Sequence, residues 1–524
     1  MTEELKRKIG AMFMVNMPGQ EEFPEFLEFC KKYRVGAFCV NAKNAISVER
    51  ICYVTKTLRD VTFETTGEYP LIFMDQEGGW VTRFYCGSGS IPGAMAYAAT
   101  GADGEKMYNV GNRLGKLLRA LGVNGNDAPI LDVNINPKNP IIGTRAYGDK
   151  LEKVKELGIG FARGMIDTGV MGVAKHFPGH GNVSSDTHTD TVINDSPAEV
   201  LKETEFSAFR DSFQQGVGAV MTAHVTYPAI SKMPATLSHE IMTDYARGEL
   251  GFDGIIVTDS MGMNAISGAY PKGESAVLAI EAGCDVLLYY SMKRKDTIIE
   301  AFNAVYEAVE SGRISEERIE ESYQRIARQK ERFNVAEAEP DLELANKLVY
   351  DEKAIADIAE DSLGVVTCMK NDGVLEGLDQ KKILCIAPIS QALRGVEEAM
   401  KVPLSFADEF ATVFPQTEKL SALPKQITPA LLAEAKQDYD VAVVGLFETA
   451  ANPAQLEVLE ELKKNGKPVI AILLRSPYDY SIAKDCNAVI TAYEYTSLSC
   501  KSIIESMKTG VYRGTLPVTI EGLN

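Results

Sequence analysis

The chain has 524 residues, 45% hydrophobic and 24% charged, enough apolar material for two or three domain cores. Its formal net charge of −19 argues against a nucleic-acid partner, which needs basic patches to neutralise phosphates, and against an anionic membrane surface. The nine cysteines show no C-x-x-C spacing and several sit in apolar runs, such as Cys39 and Cys385. They read as reduced thiols of a reducing compartment, with Cys86 the one candidate for an exposed thiol.

The N-terminal stretch MTEELKRKIGAMFMVNMPGQEE has only a short apolar segment, acids on both sides and no secretory cleavage pattern. No apolar run is long enough to span a bilayer, so the expected location is the cytoplasm. Eight short apolar runs then read as strands: Gly10–Val15, Gly36–Val40, Leu71–Met74, Pro129–Val133, Met171–Ala174, Ala219–Thr222, Gly254–Thr258 and Asp285–Tyr289. Between them stand segments with helical periodicity, including Val48–Leu58, Lys106–Leu121, Leu151–Thr168, Ala198–Phe213 and Ser275–Ala282. Strand and helix alternating through eight units predict a parallel (β/α)8 TIM-like barrel, with a doubly wound open sheet as the competing arrangement.

Helical segments at Thr297–Ser311 and Ser315–Phe333 complete the barrel, and the acidic VAEAEP stretch reads as linker. A second alternating pattern follows, with strand candidates Gly364–Cys368, Ile383–Ala387, Val441–Phe447, Val469–Leu474 and Ala488–Ala492. Helices Ala451–Lys464 and Leu498–Lys508 lie between them, which predicts a smaller three-layer αβα sandwich. The expected division is a catalytic barrel over 1–335, a linker over 336–345 and the sandwich over 346–524. Gly445-Leu446-Phe447 follows a strand but matches neither nucleotide-binding fingerprint.

Polar residues close five of the barrel runs: Asp75, Asp132, Lys175 with His176, His224, and Asp259. In a barrel the C-terminal strand ends open on one mouth, so these residues are expected to converge on one pocket. The stretch GVAKHFPGHGNVSSDTHTDT carries three of the five histidines, His176, His180 and His188. Asp186 stands two positions before His188, close enough to orient its imidazole as a proton shuttle, or simply to brace the loop. Asp259 at a buried strand end suits a general base, a nucleophile, a metal ligand or a helix cap. Lys175 and His176 suit donors to substrate hydroxyls, although a strand-end lysine also serves as an ion-pair partner. A carboxylate nucleophile with a separate proton donor is the minimum equipment for retaining glycoside hydrolysis. Two other readings stay open on the residues alone. One is a metal-dependent hydrolase using His176, His180, Asp186 and His188, despite the lack of an H-E-x-x-H pattern; the other is a barrel that binds without catalysis.

Eight motifs carry a resemblance across the whole barrel: MDQEGGWVTRF (74–84), APILDVN (128–134), GTRAYG (143–148), AKHFPGHG (174–181), DTH (186–188), VMTAHV (220–225), PATLS (234–238) and GFDGIIVTDSMGMNAI (251–266). They resemble the family 3 glycoside hydrolases, and within them the β-N-acetylglucosaminidase subgroup. AEDSLGVVTCMKND (359–372) and GTLPVTI (514–520) resemble that family's sandwich more weakly. The resemblance implies Asp259 as the nucleophile of a covalent glycosyl-enzyme and His188, oriented by Asp186, as the acid/base. It implies Asp75, Arg145, Lys175 and His176 as the residues that grip the sugar hydroxyls. An imidazole in that role adds no second negative charge beside Asp259 and does not repel phosphate, so phosphorolysis stands as an alternative to hydrolysis, as do the family's glucosidase and xylosidase activities. The implied enzyme is an exo-acting, retaining β-N-acetylglucosaminidase acting on GlcNAc-anhydro-muramyl fragments of cell-wall turnover, a small carbohydrate partner. The resemblance implies no metal or organic cofactor, and nothing in the sequence sets an oligomeric state. Trp80 replaces the family's usual arginine, Asn182 a common aspartate, Thr187 a common serine and Val192 a common proline.

Overall fold

A computed structural model describes residues 1–187, 191–271, 273–290, 295–391, 403–436 and 438–523. Its first half is a parallel barrel of eight short strands. They are β1 (Phe13–Asn16), β2 (Ala37–Val40), β3 (Leu71–Met74), β4 (Gly125–Asn126), β5 (Met171–Phe177), β6 (Ala219–Thr222), β7 (Ile255–Val257) and β8 (Leu287–Tyr289). The strand order is β8-β1-β2-β3-β4-β5-β6-β7. The ring closes where Val257 bridges Val286 in parallel and the Val286 amide donates to the Ile256 carbonyl at 3.1 Å. Every residue of β1, β2, β3, β5 and β6 is buried, as strands covered on both faces must be.

The helices between the strands carry their own start and stop signals. Ser47 Oγ accepts from the Arg50 amide to open Val48–Thr66, and Gly67 closes that helix in the left-handed region at φ 74°. Asp103 caps Gly104–Ala120 in the same way. The run 198–213 is one helix by periodicity but two in the structure, Ala198–Glu203 and Glu205–Gln214, broken at Thr204. The fourth apolar run also departs from expectation. The regular strand is Gly125–Asn126, while Pro129–Val133 is irregular after a cis Ala128–Pro129 bond and rejoins β5 only through the Ile130–Lys175 bridge.

The second domain is a six-stranded sheet: β9 (Thr367–Asn371), β10 (Ile383–Pro388), β11 (Thr417–Ala422), β12 (Val441–Leu446), β13 (Val469–Leu473) and β14 (Ala488–Thr491). Its order is β9-β14-β13-β12-β10-β11, with β9 antiparallel to β14 and all other pairs parallel. Helices cover it to make three layers. Residues Gly364 and Val365, read as the start of a strand, instead end the helix Glu352–Val365. Strand β11 has no counterpart in the expected set: it is an edge strand of sequence TEKLSA, half-exposed along nearly its whole length, so it lacks the apolar signature of its neighbours.

The segment after the barrel helices is docked against the barrel. Val335 and Ala338 are buried, and Arg59 donates to the carbonyls of Val335 and Ala336 at 2.8 Å each. The two domains also share a core, because Met95, Ala96 and Ala99 of the barrel helix Ala94–Ala99 pack with the sandwich residues. Among the described residues, no helix is long and apolar enough to cross a membrane.

Candidate active site

The strand ends open on a cavity of about 410 Å³, within the size range of small-ligand sites. Its most charged wall rises from β3 and β5. Asp75, just past β3, accepts from Lys175 Nζ at 2.8 Å, Arg83 Nη2 at 3.0 Å and Tyr290 Oη at 3.2 Å. Glu77 takes a two-pronged contact from Arg145, Nε at 2.9 Å and Nη2 at 2.7 Å, and lies 2.7 Å from Lys175 Nζ. Burial alone would raise both carboxyls. The cationic charges of Lys175 and Arg83 on Asp75, and of Arg145 and Lys175 on Glu77, outweigh it and hold both below the usual carboxylate range. The wall therefore presents fixed charges and hydrogen-bonding groups, the equipment for gripping a polyhydroxylated ligand.

The loop after β5 is built around Asp132. This carboxylate is wholly buried and accepts from the His176 amide, from the His180 amide at 2.6 Å and from His176 Nδ1 at 2.8 Å. The carboxylate thereby fixes which face of the His176 ring meets the cavity. Gly181 is required by space alone: a Cβ there would stand 1.7 Å from the Val133 carbonyl oxygen. Further along, His180 Nε2 lies 3.2 Å from Thr187 Oγ1, tying the start of the loop to its far side. Burial, reinforced by the neighbouring His176, lowers His180 to about 4.

Asp259 follows β7 and lines the cavity. Behind it lies a hydroxyl–imidazole network. The Asp259 amide donates to Thr222 Oγ1 at 3.4 Å, and Thr222 Oγ1 meets Thr236 Oγ1 at 2.7 Å. Thr236 also meets His224 Nδ1 at 2.7 Å, and His224 Nε2 faces the Ser260 carbonyl at 3.1 Å, which places its proton on Nε2. The Ser260 amide returns to Asp259 Oδ1 at 2.6 Å. Thr222, His224 and Thr236 of the VMTAHV and PATLS motifs thus brace the backbone around the strand-seven carboxylate from behind, while Met221 lines the cavity.

With this geometry in place, the comparisons with known proteins decide the family. Residues 4–329 match the model described as the glycosyl hydrolase family 3 N-terminal domain. The chain belongs to glycoside hydrolase family 3. Along 90% of its length it is 29% identical to the Beta-hexosaminidase A of Pseudoalteromonas piscicida, covering 85% of that protein. A solved family 3 beta-N-acetylglucosaminidase from Paenibacillus sp. str. FPU-7 superposes with a TM-score of 0.89 at 31% identity, over 99% of each chain. A Beta-glucoside phosphorylase, BglX, shares the fold at a TM-score of 0.82 and 20% identity, over 99% of this chain and 97% of that one.

Of the residues singled out from the sequence, Asp75, Arg145, Lys175, His176 and Asp259 line the same cavity of this family 3 chain. Asp132 and His224 were expected at the same pocket but are buried behind it, one under His176 and the other behind Asp259. Asp186 is half-buried on the loop, and His188 lies outside the described residues. Among the lining residues that had escaped notice are Arg83, Asp127 and Tyr290; Glu77, also missed, stands behind the lining as the partner of Arg145 and Lys175. Glu77 and Arg83 sit within the same MDQEGGWVTRF motif as Asp75, and Tyr290 follows directly on β8, so position after a strand was the available signal. Asp127 had none, because strand four was placed too late in the chain. Trp80 does not line the cavity. Arg475 of the second domain lies 4.2 Å above its ring, and its Nε1 donates to Thr144 beside Arg145 at 3.1 Å. Cys86 is half-buried, and so is Cys368. Among the described residues, the group of side chains with metal-ligand spacing is Cys39, Asp75 and Asp127, not the histidine cluster.

Proposed function

We propose that this family 3 protein is an exo-acting, retaining β-N-acetylglucosaminidase. Asp259 attacks the anomeric carbon as the leaving oxygen departs, forming a covalent glycosyl-aspartate. His188, oriented by Asp186, gives its proton to that oxygen and then takes one from the incoming water. Asp75, Arg145, Lys175 and His176 grip the hydroxyls of the non-reducing-end sugar. The observation that carries this reading is one cavity of monosaccharide size that holds both the Asp259 carboxylate and the Asp75–Lys175–Arg145 wall. The sugar class is supported by relatives named beta-hexosaminidase and beta-N-acetylglucosaminidase. GlcNAc-bearing anhydro-muramyl fragments of cell-wall turnover are the proposed substrates, and the cytoplasm, suited to nine free thiols, the proposed location.

A panel of nitrophenyl β-glycosides (GlcNAc, glucose, xylose), assayed with and without phosphate, tests the reading. Turnover of the GlcNAc glycoside, insensitive to phosphate, is expected. A phosphate requirement would convert the reading to a phosphorylase, and preference for glucose or xylose would overturn the sugar assignment. Asp259→Ala is expected to abolish turnover. His188→Ala is expected to suffer far more with a poor leaving group than with nitrophenol, and equal losses would remove His188 from the acid role.

A further inference from the structure

The mechanism above gives no task to Asp127, a buried carboxyl in the cavity wall. Asp127 directly follows β4, lines the cavity and is 1% exposed. Its Oδ2 accepts only the weak thiol donor of Cys39, at 3.9 Å. Its Oδ1 has no hydrogen-bond partner among the described residues. Neither nearby cation serves it: Lys175 pairs with Asp75 and Glu77, and Arg83 with Asp75.

A buried carboxyl in that position cannot afford a charge. Burial, with the Asp75 carboxylate and then Asp259 adding to it, pushes Asp127 well above the usual carboxylate range, against the opposing pull of Lys175 and Arg83. The group is therefore a neutral acid with one O–H to donate. Because the Cys39 thiol already points at Oδ2, the proton belongs on Oδ1, the atom without a partner. Asp127, Cys39 and Asp75 also have metal-ligand spacing. Asp75 is already neutralised by two cations, however, and a divalent ion would stand beside both. A neutral oxygen is the better match for the free donor.

We propose that Asp127 is a specificity-determining residue whose carboxyl O–H donates to one hydroxyl of the sugar in the cavity. The assignment deepens the glycosidase reading and rests on it. A site built to hydrogen-bond a substrate hydroxyl rejects the analogue that lacks it, because the buried donor is then left unpaired.

The test measures kcat/KM of the full-length protein on nitrophenyl β-GlcNAc and on its 3-, 4- and 6-deoxy analogues. Asp127→Leu, of similar shape but without a donor, is expected to lose about 30-fold or more on the parent sugar. That loss should shrink to about 3-fold on one deoxy analogue, which identifies the hydroxyl. Asp127→Asn, which restores an N–H donor, is expected to recover at least about 10-fold of the loss. The ratio between substrates within one variant is insensitive to how much of the protein folds. An equal penalty on every analogue would reduce Asp127 to a packing role and overturn the proposal, as would an unimpaired Leu variant or an Asn variant no better than Leu. A wild-type protein that cleaves a different β-glycoside would fail the GlcNAc reading alone, and the same series on that sugar then decides Asp127. No turnover of any glycoside would overturn both.

Discussion

Replacing Lys175 with methionine is expected to destabilise the protein by about 3–5 kcal/mol, the cost of removing one partner from a buried ion pair. The ammonium lies 2.8 Å from Asp75 Oδ1 and 2.7 Å from Glu77 Oε1, at 1% exposure. With an effective dielectric of about 20, each contact carries roughly 6 kcal/mol of attraction. Much of this offsets the several kcal/mol needed to strip the ammonium of water. The substitution leaves Asp75 with Arg83 and Tyr290, and Glu77 with Arg145, so neither carboxylate is orphaned and the loss should fall toward the lower end. Urea unfolding followed by circular dichroism measures it, and a double-mutant cycle with Glu77→Gln should return a coupling of about 1–3 kcal/mol. The pH dependence has a definite sign. Asp75 and Glu77 are held low in the folded state, so their contribution is present above the unfolded carboxylate pKa and lost as pH falls. Without Lys175 the folded pKa values move back toward the unfolded ones, so that loss should be smaller and complete at a higher pH. A destabilisation under about 1 kcal/mol, or no coupling to Glu77, would refute the account of this wall.

Two further perturbations read the other buried ionisable groups. His180, lowered to about 4 in the folded state, takes up its proton more readily when unfolded, so stability should fall as pH drops from about 6.5 toward 4, by up to about 3 kcal/mol. His180→Gln should flatten that part of the profile in urea midpoints, and an unchanged profile would refute the assignment. In the second domain, burial raises Glu494 to about 7, where it accepts from the Gly93 amide of the barrel at 2.7 Å and from the Thr496 hydroxyl at 3.0 Å. A carboxyl raised on folding contributes most below its unfolded pKa and loses that contribution as pH rises through about 7. Glu494→Gln keeps an acceptor for Gly93 without the charge, so its Tm should gain on wild type at pH 8 relative to pH 5; a gain that is the same at both would count against a buried charge.

The sequence was most legible where burial is two-sided. Leu71–Met74 is a continuous apolar tetrapeptide and Ala219–Met221 an apolar run closed by Thr222, and the strands occupy those same residues. It was least legible where hydrogen bonding or an edge position replaces apolar content. Strand four is a Gly-Asn pair whose Asn126 side chain contacts both the Gln76 amide and carbonyl, so no hydrophobic run marks it. Strand β11 has solvent along one edge and a polar sequence to suit. The same reasoning applies to the pocket. Asp75, Lys175, His176 and Asp259 directly follow or end strands, and that placement brought them together. Asp132 looks identical in sequence but serves as the hub beneath His176, because irregular backbone after Pro129 carries it behind the wall. Glu77 and Arg83 were hidden because a charged residue inside a turn motif gives no sign of which carboxylate or guanidinium it will meet.

The contact between Trp80 and Arg475 makes this chain its own optical reporter. Trp80 is the sole tryptophan, so ultraviolet excitation at the red edge of protein absorption interrogates a single point, the seam between barrel and sandwich. Parting of the two halves would strip the guanidinium from the indole and admit water, moving the emission to longer wavelength while the barrel's own circular dichroism stayed intact. The indole is also one residue removed from the pocket through Thr144 and Arg145, so sugar binding and domain separation can be followed as spectral changes in unlabelled protein.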